Sequence, residues 1–252
     1  MKNKLIWLFI INLFGVYTAS AQEETTSIVN TELASSTWSE EEVKKLPRVY
    51  ALRVGLDIYK PVTTQFDENY QGLELVGDLK LNRRWYVAAE IGSEKKTIQS
   101  DLFNFTTNGS YIKLGVDYNF FNNWKGMNNA LYLGFRLARS LHTQKVNNYT
   151  LYQLSQYIPL SEIVQGYATG ERSSLSTSWY ELLFGIKVQL LKNFYAGISI
   201  RMHGLISNPQ PNNFGNLYAP GFNKITDDNN FGGSFNYTLT YTFPFQFRKK
   251  KD

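Results

Sequence analysis

The stretch SYIKLGVDYNFF, residues 110–121, alternates with a period of two. Ile112, Leu114, Val116, Tyr118 and Phe120 fall on one face, while Lys113 and Asp117 fall on the other. A strand sends successive side chains to opposite faces, so this pattern reads as a β-strand with one apolar and one polar side. Working outward, seven more segments carry the same pattern: Val49 to Lys60, Tyr70 to Leu81, Trp85 to Glu94, Ala130 to Ser140, Ser178 to Leu191, Phe194 to Leu205 and Ser234 to Phe247. Strands of about 9–11 residues cross a bilayer when tilted.

The connections sort by length. Asn82-Arg83-Arg84, Lys192-Asn193 and the modest run Asn122 to Asn129 alternate with Pro61 to Asn69, Lys95 to Gly109, Leu141 to Thr177 and Ile206 to Gly233. Strict alternation of short turns with long loops, and an even strand count, predict an all-β, eight-stranded antiparallel up-and-down transmembrane barrel with short periplasmic turns and long extracellular loops. Aromatic residues make up 15% of the chain, although mean hydropathy is negative. A barrel that is apolar outside, polar inside and girdled by aromatics accounts for both. The girdle residues are expected at Trp85, Tyr86, Phe120, Phe121, Trp124, Phe194, Tyr195, Phe245 and Phe247 on the short-turn end. Tyr59, Tyr70, Trp179 and Tyr180 mark the other end.

The opposite faces hold the charges. Six acids (Asp57, Glu74, Asp78, Glu90, Asp117, Glu181) meet six bases (Arg53, Lys80, Lys113, Arg136, Lys187, Arg201), with His203 neutral. An eight-stranded lumen is just wide enough for side chains to fill. These residues are therefore expected to pair as a structural network, because an unpaired buried charge is costly.

The ends read as processing and linker segments. Lys2 and Lys4, the apolar run Leu5 to Val16 and the small residues Ala19-Ser20-Ala21 predict a cleaved signal peptide, residues 1–21, and export to the outer membrane of a Gram-negative bacterium. Residues 22–47 form an acidic periplasmic leader. Its Ser39-Glu40-Glu41-Glu42 capping box and Trp38/Val43 staple predict a short helix from Glu40 to Leu46. The barrel is expected over residues 48–247, with a basic tail at 248–252. The absence of cysteine excludes disulfides, lipoprotein anchoring and Cys-ligated metals. A net charge of +5, or +3 without Lys2 and Lys4, is too mild to point to nucleic acid.

The pattern from Val49 to Phe247 resembles small outer-membrane β-barrel proteins of the OmpA and OmpX type. The final strand, with Tyr237, Tyr241, Phe243, Phe245 and Phe247, looks like the aromatic C-terminal signal for barrel insertion. It departs from that signal in Pro244 and in the Arg248–Asp252 extension. The abundance of Asn and aromatics, and of Lys over Arg, resembles a Bacteroidota outer-membrane barrel family.

No catalytic or cofactor motif is present. His142 and His203 have no metal-ligand spacing. An enzyme reading rests only on His203 with Ser207 and Asp227 nearby in sequence. The aromatic long loops suggest contact with another outer-membrane or surface protein, through Tyr149, Tyr152, Tyr157, Phe214, Tyr218 and Phe222. The sequence expectation is a non-enzymatic barrel, a structural or accessory subunit of an outer-membrane assembly or secretion machine. It would be bathed in outer-membrane lipid and lipopolysaccharide and need no cofactor. An adhesin or ligand-binding barrel, a narrow channel and a rim-site lipid-modifying enzyme are the alternatives.

Overall fold

The computed structural model describes residues 50–82, 84–99, 103–121, 129–149, 170–211, 215–225 and 230–245. The barrel strands are β1 (Tyr50–Asp57), β2 (Tyr70–Lys80), β3 (Trp85–Gln99), β4 (Phe103–Asn119), β5 (Ala130–Tyr149), β6 (Gly170–Leu191), β7 (Phe194–Ser207) and β10 (Phe231–Phe245). A helix α1 (Tyr59–Phe66) follows β1, and a two-residue hairpin, β8 (Tyr218–Ala219) with β9 (Asn223–Lys224), lies between β7 and β10. Each barrel strand pairs antiparallel with its chain neighbours, and the sheet closes where β1 meets β10, from Tyr50 opposite Phe245 to Asp57 opposite Thr238. The result is an all-β, eight-stranded, up-and-down barrel.

Its inside and outside follow the period of two. On β4, Leu114 is 54% exposed and the adjacent Lys113 2%. The outward positions of β6, Leu182 to Leu190, are all large and apolar and all exposed. They span about 27 Å of strand, or roughly 20 Å along the barrel axis at a 40° tilt. A continuous exposed belt of Leu, Ile, Val and Phe around a closed barrel has no place in water. The fold is a transmembrane barrel of the outer-membrane type.

The turns have local causes. At the β2–β3 turn, the Asn82 side-chain oxygen accepts from the backbone N–H groups of Arg84 (2.9 Å) and Trp85 (2.8 Å), an Asx turn. Asn119 does the same for Phe121 and Leu131, each at 3.1 Å. Asn193 takes a left-handed φ of 66° in the tight β6–β7 turn.

The structure differs from the sequence expectation on the long-loop side. Much of Lys95 to Gly109 and of Leu141 to Thr177 is strand: β3 runs on to Gln99, β4 begins at Phe103, β5 continues to Tyr149 and β6 begins at Gly170. In these extensions the outward residues are polar (Thr97, Asn108, Thr143, Lys145), so the apolar alternation that marks the belt fades although the strands continue. Pro61 to Asn69, expected as a loop, holds α1, with Pro61 in the first turn where a missing N–H costs nothing. Four girdle aromatics turn inward instead: Tyr70, Tyr86, Trp179 and Tyr195 are buried. Trp124, Phe247, the signal peptide, the leader with its expected helix and the basic tail lie outside the described residues.

Candidate functional site

The lumen is built from the polar faces of all eight strands. Arg53, Asp57, Glu74, Asp78, Glu90, Lys113, Asp117, Arg136, Glu181, Lys187 and Arg201 all point inward, none more than 8% exposed. Toward the short-turn end, Asp78 is shared by Arg53 (2.6 Å) and Lys187 (2.5 Å). The Arg53 guanidinium lies over the rings of Tyr86 (4.7 Å) and Tyr195 (5.6 Å), which explains why those aromatics left the girdle. In the middle, Glu90 takes both terminal nitrogens of Arg201 (2.6 and 3.1 Å) and Nε of Arg136 (3.3 Å). Arg136 also reaches Asp117 at 2.7 Å. The Lys113 ammonium stands among Glu181 (3.1 Å), Glu74 (3.6 Å) and Glu90 (3.7 Å). Asp57 is held by amides, not by a cation. Asn236 donates to it at 3.0 Å and to Glu74 at 2.9 Å, and the Tyr59 and Tyr237 N–H groups complete its shell. Burying so many charges is sustainable only when every member has partners.

Above this network the mouth is closed by the segment between β7 and β10. Ala219, Phe222 and Ile225 are buried against Tyr111, Ala138 and Trp179, and Tyr218 is buried as well. Phe222 packs edge-on to Trp179 at 5.8 Å. The centre of the closure is Glu94, which is 3% exposed. Its carboxylate accepts from Tyr70 OH (3.0 Å), Tyr218 OH (3.2 Å) and the Gly221 N–H (2.9 Å), and it pairs with Lys60 of α1. A second anchor is Asn216. Its side-chain nitrogen donates to Thr177 (3.1 Å) and Asn208 (2.6 Å), and its oxygen meets His142 Nε2 at 2.9 Å. Gln144 bonds the Gly215 carbonyl at 2.9 Å. Gly221 adopts φ +83° with its Cα against the Tyr111 ring, a place only glycine fits.

Two charge states in this closure follow from its surroundings. Burial works against the Lys60 ammonium, but Glu94 and Glu74 outweigh it and raise its pKa above the ordinary lysine value. Burial, then Glu94, pushes the Tyr218 phenol well above its usual range.

Tyr218 and Phe222 were expected to face partners and instead seal the barrel, at 3% and 1% exposure. Aromatics in a polar loop look the same in sequence whether they face a partner or fold back onto a lumen. Tyr149 ends β5, while Tyr152, Tyr157 and Phe214 lie outside the described residues. Lys60, Glu94, Tyr111, Gln144, Trp179 and Asn216 carry the closure unannounced by any motif. Glu94 and Trp179 do sit at the inward parity of their strands, which was a usable signal.

His203 is placed against Ser234 (2.9 Å from Nε2), not Ser207, and Asp227 lies outside the described residues. Glu181 approaches the same Nε2 at 4.0 Å. A nucleophile and an orienting carboxylate must bond opposite nitrogens of the imidazole, and this arrangement does not provide that. A shallow cleft of about 250 Å³ opens at the rim between Leu205, Ile206, Ser207, Asn208, Gln210, Ile225 and Asn230.

A family model described as "Domain of unknown function (DUF6048)" matches residues 3–250. No curated protein matches the chain. Two solved structures of Ail, the attachment invasion locus protein of Yersinia pestis, are similar. One, in complex with the heparin analogue sucrose octasulfate, is 13% identical with a TM-score of 0.40. The other is 11% identical with a TM-score of 0.41. Each match covers 79% of this chain and all of the other.

Proposed function

The chain belongs to the DUF6048 family over nearly its whole length, and from that starting point we propose that it is a non-enzymatic barrel of the Gram-negative outer membrane, a structural or accessory subunit of an outer-membrane assembly or secretion machine. Export by a cleaved signal peptide, residues 1–21, is part of this reading. One observation carries it: the interior is committed to its own closure. Lumen charges satisfy one another, and the segment that could have opened a binding cavity is folded into the mouth by Glu94 and Asn216. What remains for work is the outer wall, where β3 to β6 rise beyond the apolar belt, and the connection between β5 and β6, which contains Tyr152 and Tyr157. Tyr149, at the end of β5, belongs to the same rim.

The test is capture from membranes solubilised in mild detergent, with residues 150–169 either intact or replaced by a short Gly-Asn turn. A stoichiometric outer-membrane partner that is lost with the replacement, while the barrel still shows heat-modifiable mobility, is the expected result. No partner, together with surface-ligand binding by the isolated barrel, would replace this reading with an adhesin.

A further inference from the structure

The outward face of β3 to β6 changes character row by row. Hydrogen-bonded register places Ala89, Leu114, Leu137 and Tyr180 side by side, an apolar row. One step up, the row is Ile91, Ile112, Arg139 and Ser178. The next is Ser93, Ser110, Leu141 and Ser176. Above it stand Lys95, Asn108 and Thr143, and then Lys145 beside Thr106. The hydrocarbon boundary on this side of the barrel is therefore drawn at the Arg139 row. Arg139, Lys95 and Lys145 are all exposed on the outward face. Among the described residues none has an ion pair, and the acid on this face is Glu171, opposite Lys145.

An arginine flanked by Leu137 and Leu141 is costly unless it meets an anion at the headgroup level. From strand spacings, Lys95 and Lys145 have Cα atoms about 12 Å apart, and Arg139 sits about 16–20 Å from each. Long basic side chains cover such gaps from both sides. Between them lie polar groups: the Ser110 hydroxyl, the Asn108 amide, and the Ser93 and Thr143 hydroxyls, which donate to the Gly109 and Asn108 carbonyls and keep their oxygens as acceptors for sugar hydroxyls. The chemistry asked for is two phosphates separated by a sugar unit, attached to acyl chains that lie on the apolar rows below.

We propose that the outward face of β3 to β6 is a binding site for the phosphorylated sugar headgroup of an outer-leaflet glycolipid, with Arg139 at the acyl boundary and Lys95 and Lys145 above it. This rests on the outer-membrane reading, and it gives that reading a defined lipid contact on the tall side of the wall.

The experiment uses the full mature barrel in maltoside micelles, titrated with diphosphoryl lipid A, monophosphoryl lipid A or phosphatidylglycerol. The unfolding midpoint is read by heat-modifiable mobility. Diphosphoryl lipid A should raise the midpoint at the lowest concentration, and 10 mM-scale inorganic phosphate (about that order, enough to screen a simple ion site) should not compete. Changing Arg139, Lys95 and Lys145 together to Ser should weaken the effect on the order of a hundredfold. Lys192→Ser, at the short-turn end, should leave it unchanged and serves as the folded control. Equal stabilisation by phosphatidylglycerol, or an equal effect of lipid A on the triple variant, overturns the site while leaving a membrane barrel intact. Recovery of the protein from the soluble fraction would remove the membrane reading as well.

Discussion

A methyl group at position 221 would meet the ring of Tyr111 at 2.8 Å on a backbone with φ +83°. Gly221→Ala should therefore loosen the mouth closure by about 1–3 kcal/mol. The readout is tryptic cleavage after Lys224, an exposed residue of the hairpin, which should become faster in the variant while the barrel stays inserted. Neighbouring residues on β4 give a second test. Leu114 faces lipid, so Leu114→Arg should cost about 2–4 kcal/mol and reduce membrane-inserted yield. Lys113 touches three carboxylates. Lys113→Leu leaves them short of a cation, about 3–5 kcal/mol, and should appear as a lower unfolding midpoint in a barrel that still inserts. If both variants fail in the same way, the inside and outside faces are wrongly assigned.

At the level of elements, α1 and the β8–β9 hairpin act together, because Lys60 from one and Tyr218 and Gly221 from the other all meet on Glu94. Lys60 and Tyr218 both have folded-state pKa values raised above their ordinary ones. Groups shifted upward contribute stability that is complete below their unfolded pKa and is lost as pH rises toward the folded value. The hairpin should thus stay protected from trypsin across neutral pH and begin to open only above about pH 10, where free lysine and tyrosine titrate. Opening between pH 5 and 8 would contradict this assignment. These elements were also the least legible in the sequence. The belt could be read because Leu114 beside Lys113 makes a sharp contrast. The strand extensions could not, because Thr106, Thr107 and Asn108 are polar on either face. YKPVTTQF has too little contrast to declare a helix, and the hydrogen-bond partner of Tyr218 is Glu94 of β3, more than a hundred residues away in the chain.

For the molecule as a whole, paired charges crowd a lumen just wide enough for side chains, so planar bilayers holding the folded barrel should show no stable conductance. Excising the hairpin should leave that unchanged, since the network around Glu90 and Asp78 lies beneath it. Large steady openings in either form would mean that the network rearranges. The same network is unevenly divided along the chain. Strands β1 to β4 turn six acids inward (Asp57, Glu74, Asp78, Glu90, Glu94, Asp117) against Arg53, Lys80 and Lys113, whereas β5 to β10 place Arg136, Lys187 and Arg201 against Glu181 alone. Each half-barrel is thus a curved sheet with a charged inner wall of opposite sign to the other. Two fragments parted between residues 122 and 128 would each carry an imbalance that only its counterpart cancels, so co-expressed halves should find one another and rebuild the barrel, and neither should survive alone.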